Sequence, residues 1–142
     1  MKVLIKRFDK NLPFPEYKTD GAAGFDIAAR ETVCIQPHQV GYVPLNVAMQ
    51  LPKDSWLLLA ARSSLHKLGV MMANGIGVGD ADFSGDGDEY QAALLNFSDH
   101  EVMIEKGQRI VQAIIVTRQK VELAEVDQLG NPDRGGFGST GK

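Results

Sequence analysis

Short apolar runs alternate with Gly-, Pro-, Asn- and Asp-rich breaks along the whole chain, and no stretch holds a 3.6-residue period for three turns. That spacing disfavours long helices and favours strands joined by tight turns. Glycine supplies 15 of the 142 residues, about one in ten against a usual ~7%, which fits a chain that turns often. The pattern predicts strands near Val3–Phe8, Gly24–Ala28, Thr32–Ile35, Val40–Leu45, Trp56–Ala61, Ala92–Phe97, Val102–Ile104, Ile110–Thr117 and Val121–Val126. Loops are expected at Asn11–Thr19, Pro52–Ser55, Ser98–His100 and Gly130–Gly135, with one helical turn at Ser63–Leu68. Many short strands and almost no helix predict an all-β sandwich or barrel. The tail after Pro132 is glycine-rich, with Phe137 its one large apolar side chain. It cannot pack a core of its own and is expected to be mobile.

Composition narrows the function classes. A length of 142 residues suits one domain, and 44% hydrophobic with 23% charged residues suits a packed core. Fifteen basic residues face eighteen acidic ones, for a net charge of −3, so bulk attraction to nucleic acid is not expected. Cys34 is the one cysteine and has no intrachain partner, which suits a reducing compartment. Charges within the first ten residues leave no signal-peptide core, and no apolar run reaches the ~20 residues of a membrane helix. A cytoplasmic protein is therefore expected, with neither a membrane nor a nucleic-acid partner. His38, His66 and His100 show no zinc-ligand spacing.

Five segments could carry chemistry. Residues 80–89 read DADFSGDGDE and hold Asp80, Asp82, Asp86, Asp88 and Glu89. They suit three readings: a solvated acidic turn, a calcium loop, or a catalytic carboxylate that orients a water and takes its proton. A calcium loop counted from Asp82 places Ser84, Asp86 and Gly87 well but Ala93 where a bidentate glutamate belongs. Residues 62–69, RSSLHKLG, offer an arginine and two hydroxyls at the start of a turn: a phosphate clamp or an ordinary helix cap. In GQRIVQ, Arg109 and Gln112 alternate with apolar neighbours, and in GAAGFDIAA Asp26 stands among small apolar residues. The end, GFGSTGK, imitates a phosphate-binding P-loop, but no Ser, Thr or helix follows Lys142 in this sequence. Its glycine-flanked amides and two hydroxyls could still wrap an anion.

Taken in order, AGFDIAA, RSSLHKLG, NGIGVGDADFSG, GQRIVQ and RGGFGSTG resemble the five motifs of the trimeric dUTPase family, deoxyuridine triphosphate nucleotidohydrolases. The likeness runs from about Ala22 to Gly141, and the pattern at Gly77–Gly85 and the tail are its most specific parts. It implies a jelly-roll-like β-barrel of the β-clip type over residues 1–133, with 134–142 as a flexible lid. It also implies a homotrimer with shared active sites. The implied reaction is hydrolysis of dUTP to dUMP and pyrophosphate, which limits uracil in DNA and supplies dUMP for dTMP synthesis. By the same likeness Asp80 activates the attacking water. Asn74 and main-chain groups of its hairpin, including Gly77, read the uracil. Phe83 packs under the deoxyribose, where a ribose 2′-hydroxyl would clash. Arg62, Ser63, Ser64 and Gln112 hold phosphates. Asp26 and Arg109 support them. Phe137 stacks on uracil while Arg134, Gly138, Ser139 and Thr140 close over the phosphates. The implied cofactor is Mg²⁺, held by triphosphate and water with no direct protein ligand, Asp26 reaching it through water. Related dCTP deaminases share the fold and the R-S-S segment but generally lack this tail; a bifunctional deaminase–dUTPase or a nucleotide-binding regulatory member are the other readings.

The chain departs from the family pattern at four points. Phe83 stands where tyrosine is usual, and Gly79 where a bulky aliphatic residue precedes the aspartate. The segment GDGDEYQ lengthens the hairpin, and the tail reads R-G-G-F where R-G-x-G-G-F is usual. Gly79 is expected to leave the sugar wall open, so that Ile at this position would narrow it.

Overall fold

The computed structural model describes residues 1–141 and contains eleven strands, all paired antiparallel. They are β1 (Leu4–Arg7), β2 (Phe25–Ala28), β3 (Val33–Ile35), β4 (Val40–Pro44), β5 (Val47–Gln50), β6 (Ser55–Ala61), β7 (Val70–Met72), β8 (Gly77–Gly79), β9 (Gln91–Asn96), β10 (Val102–Ile104) and β11 (Arg109–Thr117). The largest sheet runs β2-β11-β6-β8 and the next β4-β9-β7, with β1-β5 and β3-β10 as two-stranded ribbons. The result is the jelly-roll-like β fold. A single 3₁₀ turn, Leu65–Leu68, lies between β6 and β7. No helix among the described residues is long and apolar enough to cross a membrane.

Alternation along the strands explains the layering. In β6, Ser55, Leu57 and Leu59 are buried while Trp56, Leu58 and Ala60 are only partly covered, the period-2 signature of a sheet with one face on the core. Ile27, Leu57, Val111 and Ala113 from the large sheet meet Val43, Val70, Ala92 and Leu94 from the second in one cluster. Each valine, leucine or isoleucine side chain among them contributes about 1.5–3 kcal/mol by leaving water.

Three observed strands depart from the sequence expectation. β5, β7 and β8 are new; β7 and β8 are three residues each, and β8 is two glycines around a valine. Such runs carry too little apolar pattern to stand out, and their pairing comes from β9 and β6. Conversely, the expected strand Val121–Val126 is not one. After Thr117 the chain leaves the sheet, Arg118 N–H donating to the Asp54 carbonyl at 2.9 Å. Val121, Leu123 and Val126 then stand exposed, with no sheet edge beside them among the described residues. The alternation there is real, but a strand needs a partner. Lys142, the last residue of the expected lid, lies outside the described residues.

The segment before β9 is held at several points, and Glu89 makes the most buried side-chain contact among them. Glu89 accepts from Arg30 Nε at 2.7 Å and Nη2 at 2.9 Å, and from the Asn46 amide at 2.9 Å. Its side chain is only 9% exposed, so losing it would leave the buried Asn46 amide unpaired and Arg30 with Glu31 as its remaining carboxylate. Asp86, on the same segment, is 98% exposed in its contact with Lys6. Glu89→Ala should therefore lower stability by about 2–4 kcal/mol in urea unfolding, and Asp86→Ala by no more than about 0.5 kcal/mol. Equal effects would show that the clamp does not hold the segment.

Candidate active site

Two strand pairings assemble a cationic cluster. β11 places Gln112 opposite Asp26 of β2 and, on its other edge, opposite Ala60 of β6. The three segments therefore meet side by side where β6 ends. Arg62, the next residue but one, sets its Nε 3.1 Å from Asp26 Oδ2. Arg109 Nη1 lies 3.0 Å from the same oxygen, and Arg62 Nη1 donates to the Arg109 carbonyl at 3.2 Å. Gln112 Nε2 donates to the Ala61 carbonyl at 3.1 Å. Two guanidiniums thus share one carboxylate, leaving net positive charge with part of each guanidinium open to solvent. Ser63 and Ser64 follow at once, both exposed. Ser64 stands at the N-cap position of the 3₁₀ turn but makes no side-chain cap bond, so its hydroxyl is not used by the turn. Paired arginines beside free hydroxyls are suited to a phosphate chain.

The second group lies on the β7–β8 connection, on β8 and in the turn after it; β7 pairs with β9 and β8 with β6. β8 pairs with β6 through Leu59↔Gly77 and Leu57↔Gly79. A Cβ on Gly77 would come within 2.9 Å of the Leu59 Cβ, so this position needs glycine for the strands to approach. Asp80 follows the last pair, its carbonyl accepting from the Phe83 amide at 3.1 Å in a tight turn. The Asp80 carboxylate is exposed and makes no hydrogen bond or ion pair among the described residues. It stands on the rim between two hollows. One is lined by Asn74, Gly79, Phe83 and Tyr90, with apolar rings and an amide suited to a nucleoside. The other holds Lys53, Arg118, Asp82 and Ser84.

One sequence expectation is corrected at this segment, and one alternative falls away. The opening expected at Gly79 is already filled: a Cβ there would come 2.7 Å from Tyr90 Cε1, 2.9 Å from its hydroxyl and 3.0 Å from the Leu57 Cβ. Ile at 79 would therefore collide rather than narrow a vacant wall. The calcium-loop reading also fails. Asp88 accepts from the Gly85 amide at 2.7 Å and Glu89 is engaged by Arg30. No three His, Cys, Asp or Glu side chains converge among the described residues.

A single copy does not bring all the expected residues together. Asp80 follows the Leu57↔Gly79 pair toward the Ser55 end of β6, and Arg62 lies beyond the Ala61 end. Five to six strand positions at ~3.3 Å each separate them by roughly 20 Å. Arg62, Ser63, Ser64, Gln112, Asp26 and Arg109 form one group; Asn74, Gly77, Asp80 and Phe83 form another. Arg134, Phe137, Gly138, Ser139 and Thr140 lie in an exposed tail with two turns of its own, Ser139 N–H to the Gly136 carbonyl and Gly141 N–H to the Gly138 carbonyl. Phe137 is fully exposed. Sequence reasoning missed Lys53, Arg118 and Tyr90. No motif marks the first two, whereas Tyr90 had a signal, a bulky residue near a motif that has lost one at Gly79.

Comparison with known proteins agrees with this arrangement of segments. The dUTPase family model matches residues 10–141. A deoxyuridine 5′-triphosphate nucleotidohydrolase of Hydrogenobaculum sp. is 41% identical over 145 residues, covering 99% of each chain. The same-named protein of Helicobacter pylori is 38% identical over 146 residues, covering 99% of this chain and 97% of its own. Among solved structures, the Staphylococcus bacteriophage 80alpha dUTPase with dUPNHPP superposes with a TM-score of 0.86 at 25% identity over 99% of each chain. The Streptococcus mutans dUTPase gives 0.75 at 25% identity, over 83% of this chain and 98% of its own. With the family model matching residues 10–141 and relatives at 41% and 38% identity over nearly the whole chain, the chain belongs to the dUTPase family.

Proposed function

We propose that this chain is a dUTP diphosphatase, working as a homotrimer whose sites each combine groups from different copies. The observation that carries the reading is the split itself. An unpaired carboxylate on the rim of an aromatic hollow and a cluster of two arginines and two serines are complementary halves of one nucleotide site, yet one chain holds them roughly 20 Å apart. The exposed arm also supports assembly: Val121, Leu123, Val126 and Leu129 leave a run of apolar side chains uncovered in a lone copy, which another subunit would cover.

In this mechanism Asp80 accepts a proton from a water that attacks the α-phosphorus. The P–O bond to the β-phosphate breaks, and dUMP and pyrophosphate leave. Arg62, Ser63, Ser64 and Gln112 hold the phosphate oxygens, with Asp26 and Arg109 fixing Arg62 in place. Asn74 and the main chain near Gly77 read the uracil edge, and Phe83 packs on the sugar. The tail closes with Phe137 on the uracil and Arg134, Gly138, Ser139 and Thr140 over the phosphates, excluding water and adding donors where charge builds up. A divalent ion here would be held mainly by substrate and water, with Asp26, the carboxylate between Arg62 and Arg109, reaching it through water. Mg²⁺, when bound there, neutralises charge on the phosphate oxygens. We place the enzyme in the cytoplasm, where it would limit dUTP and supply dUMP.

Pyrophosphate release from dUTP, UTP, dTTP and dCTP, with and without Mg²⁺, tests the function. Turnover of dUTP well above the other three, lost on chelation, is expected; ammonia release from dCTP would assign a deaminase instead. Asp80→Asn should reduce turnover at least about 100-fold while leaving urea unfolding unchanged, since the carboxylate makes no hydrogen bond or ion pair among the described residues. Near-normal turnover would move the base to another acid. Deleting 134–142 should leave the melting temperature without nucleotide almost unaltered, because that tail buries little, yet lower activity by about 100-fold or more. Full activity without the tail would refute its role as a lid.

A further inference from the structure

Tyr90 is 7% exposed, and its hydroxyl is the one buried side-chain polar atom without a hydrogen-bond partner among the described residues. A buried hydroxyl left unpaired costs stability that a phenylalanine would not. The fold nevertheless holds this side chain firmly. The Tyr90 amide donates to the Val47 carbonyl at 3.0 Å, its carbonyl accepts from the Leu45 amide at 2.9 Å, and the preceding Glu89 is clamped by Arg30. The ring meets Phe83 edge-on, with centroids 5.2 Å apart and planes at 65°. Its other edge and hydroxyl occupy the volume that a side chain at residue 79 would need. Burial and the neighbouring Asp80 and Asp88 carboxylates push the phenol above its ordinary range, so it stays a neutral hydroxyl at working pH.

We propose that Tyr90 is the specificity-determining positioning residue of the sugar site. It acts through Gly79 and Phe83, holding them at a spacing that admits a deoxyribose and excludes a ribose. The bulk of the sugar wall would thus sit at Tyr90 rather than at residue 79, where a side chain is absent. The hydroxyl, with Cε1, fills the space beside Gly79; removing it leaves room there of about one oxygen, the size of a 2′-hydroxyl. The inference rests on the dUTP reading of the same hollow.

The test compares kcat/KM for dUTP with kcat/KM for UTP. Tyr90→Phe should lower the ratio several-fold, with a melting temperature no lower than that of the parent. Tyr90→Ala should lower it about tenfold or more, the size of effect that a small change in pocket shape gives. Adding Gly79→Ile to Tyr90→Ala should restore the ratio, because the isoleucine then enters vacated space, whereas Gly79→Ile alone should impair folding. A purely structural role would reduce both substrates alike, so an unchanged ratio in Tyr90→Phe overturns the proposal even if Tyr90→Ala fails to fold. A parent protein that turns over no dUTP would overturn the functional reading, and the proposal with it.

Discussion

Strand β6 hydrogen-bonds β11 along one edge and β8 along the other, and the arrangement of functional groups depends on that double pairing. The β11 side delivers Gln112 and Arg109, and through β2 Asp26, to the Ala61 end of β6. The β8 side delivers Asp80 toward the Ser55 end. A one-residue slip in either ladder would turn Leu57 and Leu59 out of the core. Burial of those two leucines, both under 4% exposed, therefore fixes the distance between Asp80 and the cluster of Arg62, Arg109 and Asp26. The hydrophobic core dictates that a lone chain keeps its carboxylate and its arginines apart, and the proposed function follows from that separation.

The connection from β8 to β9 keeps its place beside a pocket. Glu89 of GDGDEYQ anchors it to Arg30 and the Asn46 amide. Tyr90 then enters the sheet with both main-chain groups paired. Gly79 and Tyr90 lie on different strands and are eleven positions apart, but they compete for the same volume. One is small because the other is large.

Much of this was legible in the sequence. Strand–turn punctuation gave the all-β class, and Asp26, Arg62, Arg109 and Gln112, singled out separately, prove to be one cluster. The illegible parts have physical causes. β8 is GVG, with no apolar face to read, and exists because β6 offers an edge. Val121–Val126 has strand-like alternation but no edge beside it among the described residues. Gly79 reads as an opening because a sequence shows which side chain is missing and not which neighbour takes its place.

The central claim is that Asp80 of one copy works with Arg62 of another. Chains carrying Asp80→Asn and chains carrying Arg62→Ala are each expected to be nearly inactive. Refolding the two together, with mixed assemblies verified by mass, measures the claim directly. Partial recovery of dUTP hydrolysis is predicted, because some sites would join an intact Asp80 to an intact Arg62. No recovery in verified mixed assemblies would place both residues of one chain in the same site and contradict the account.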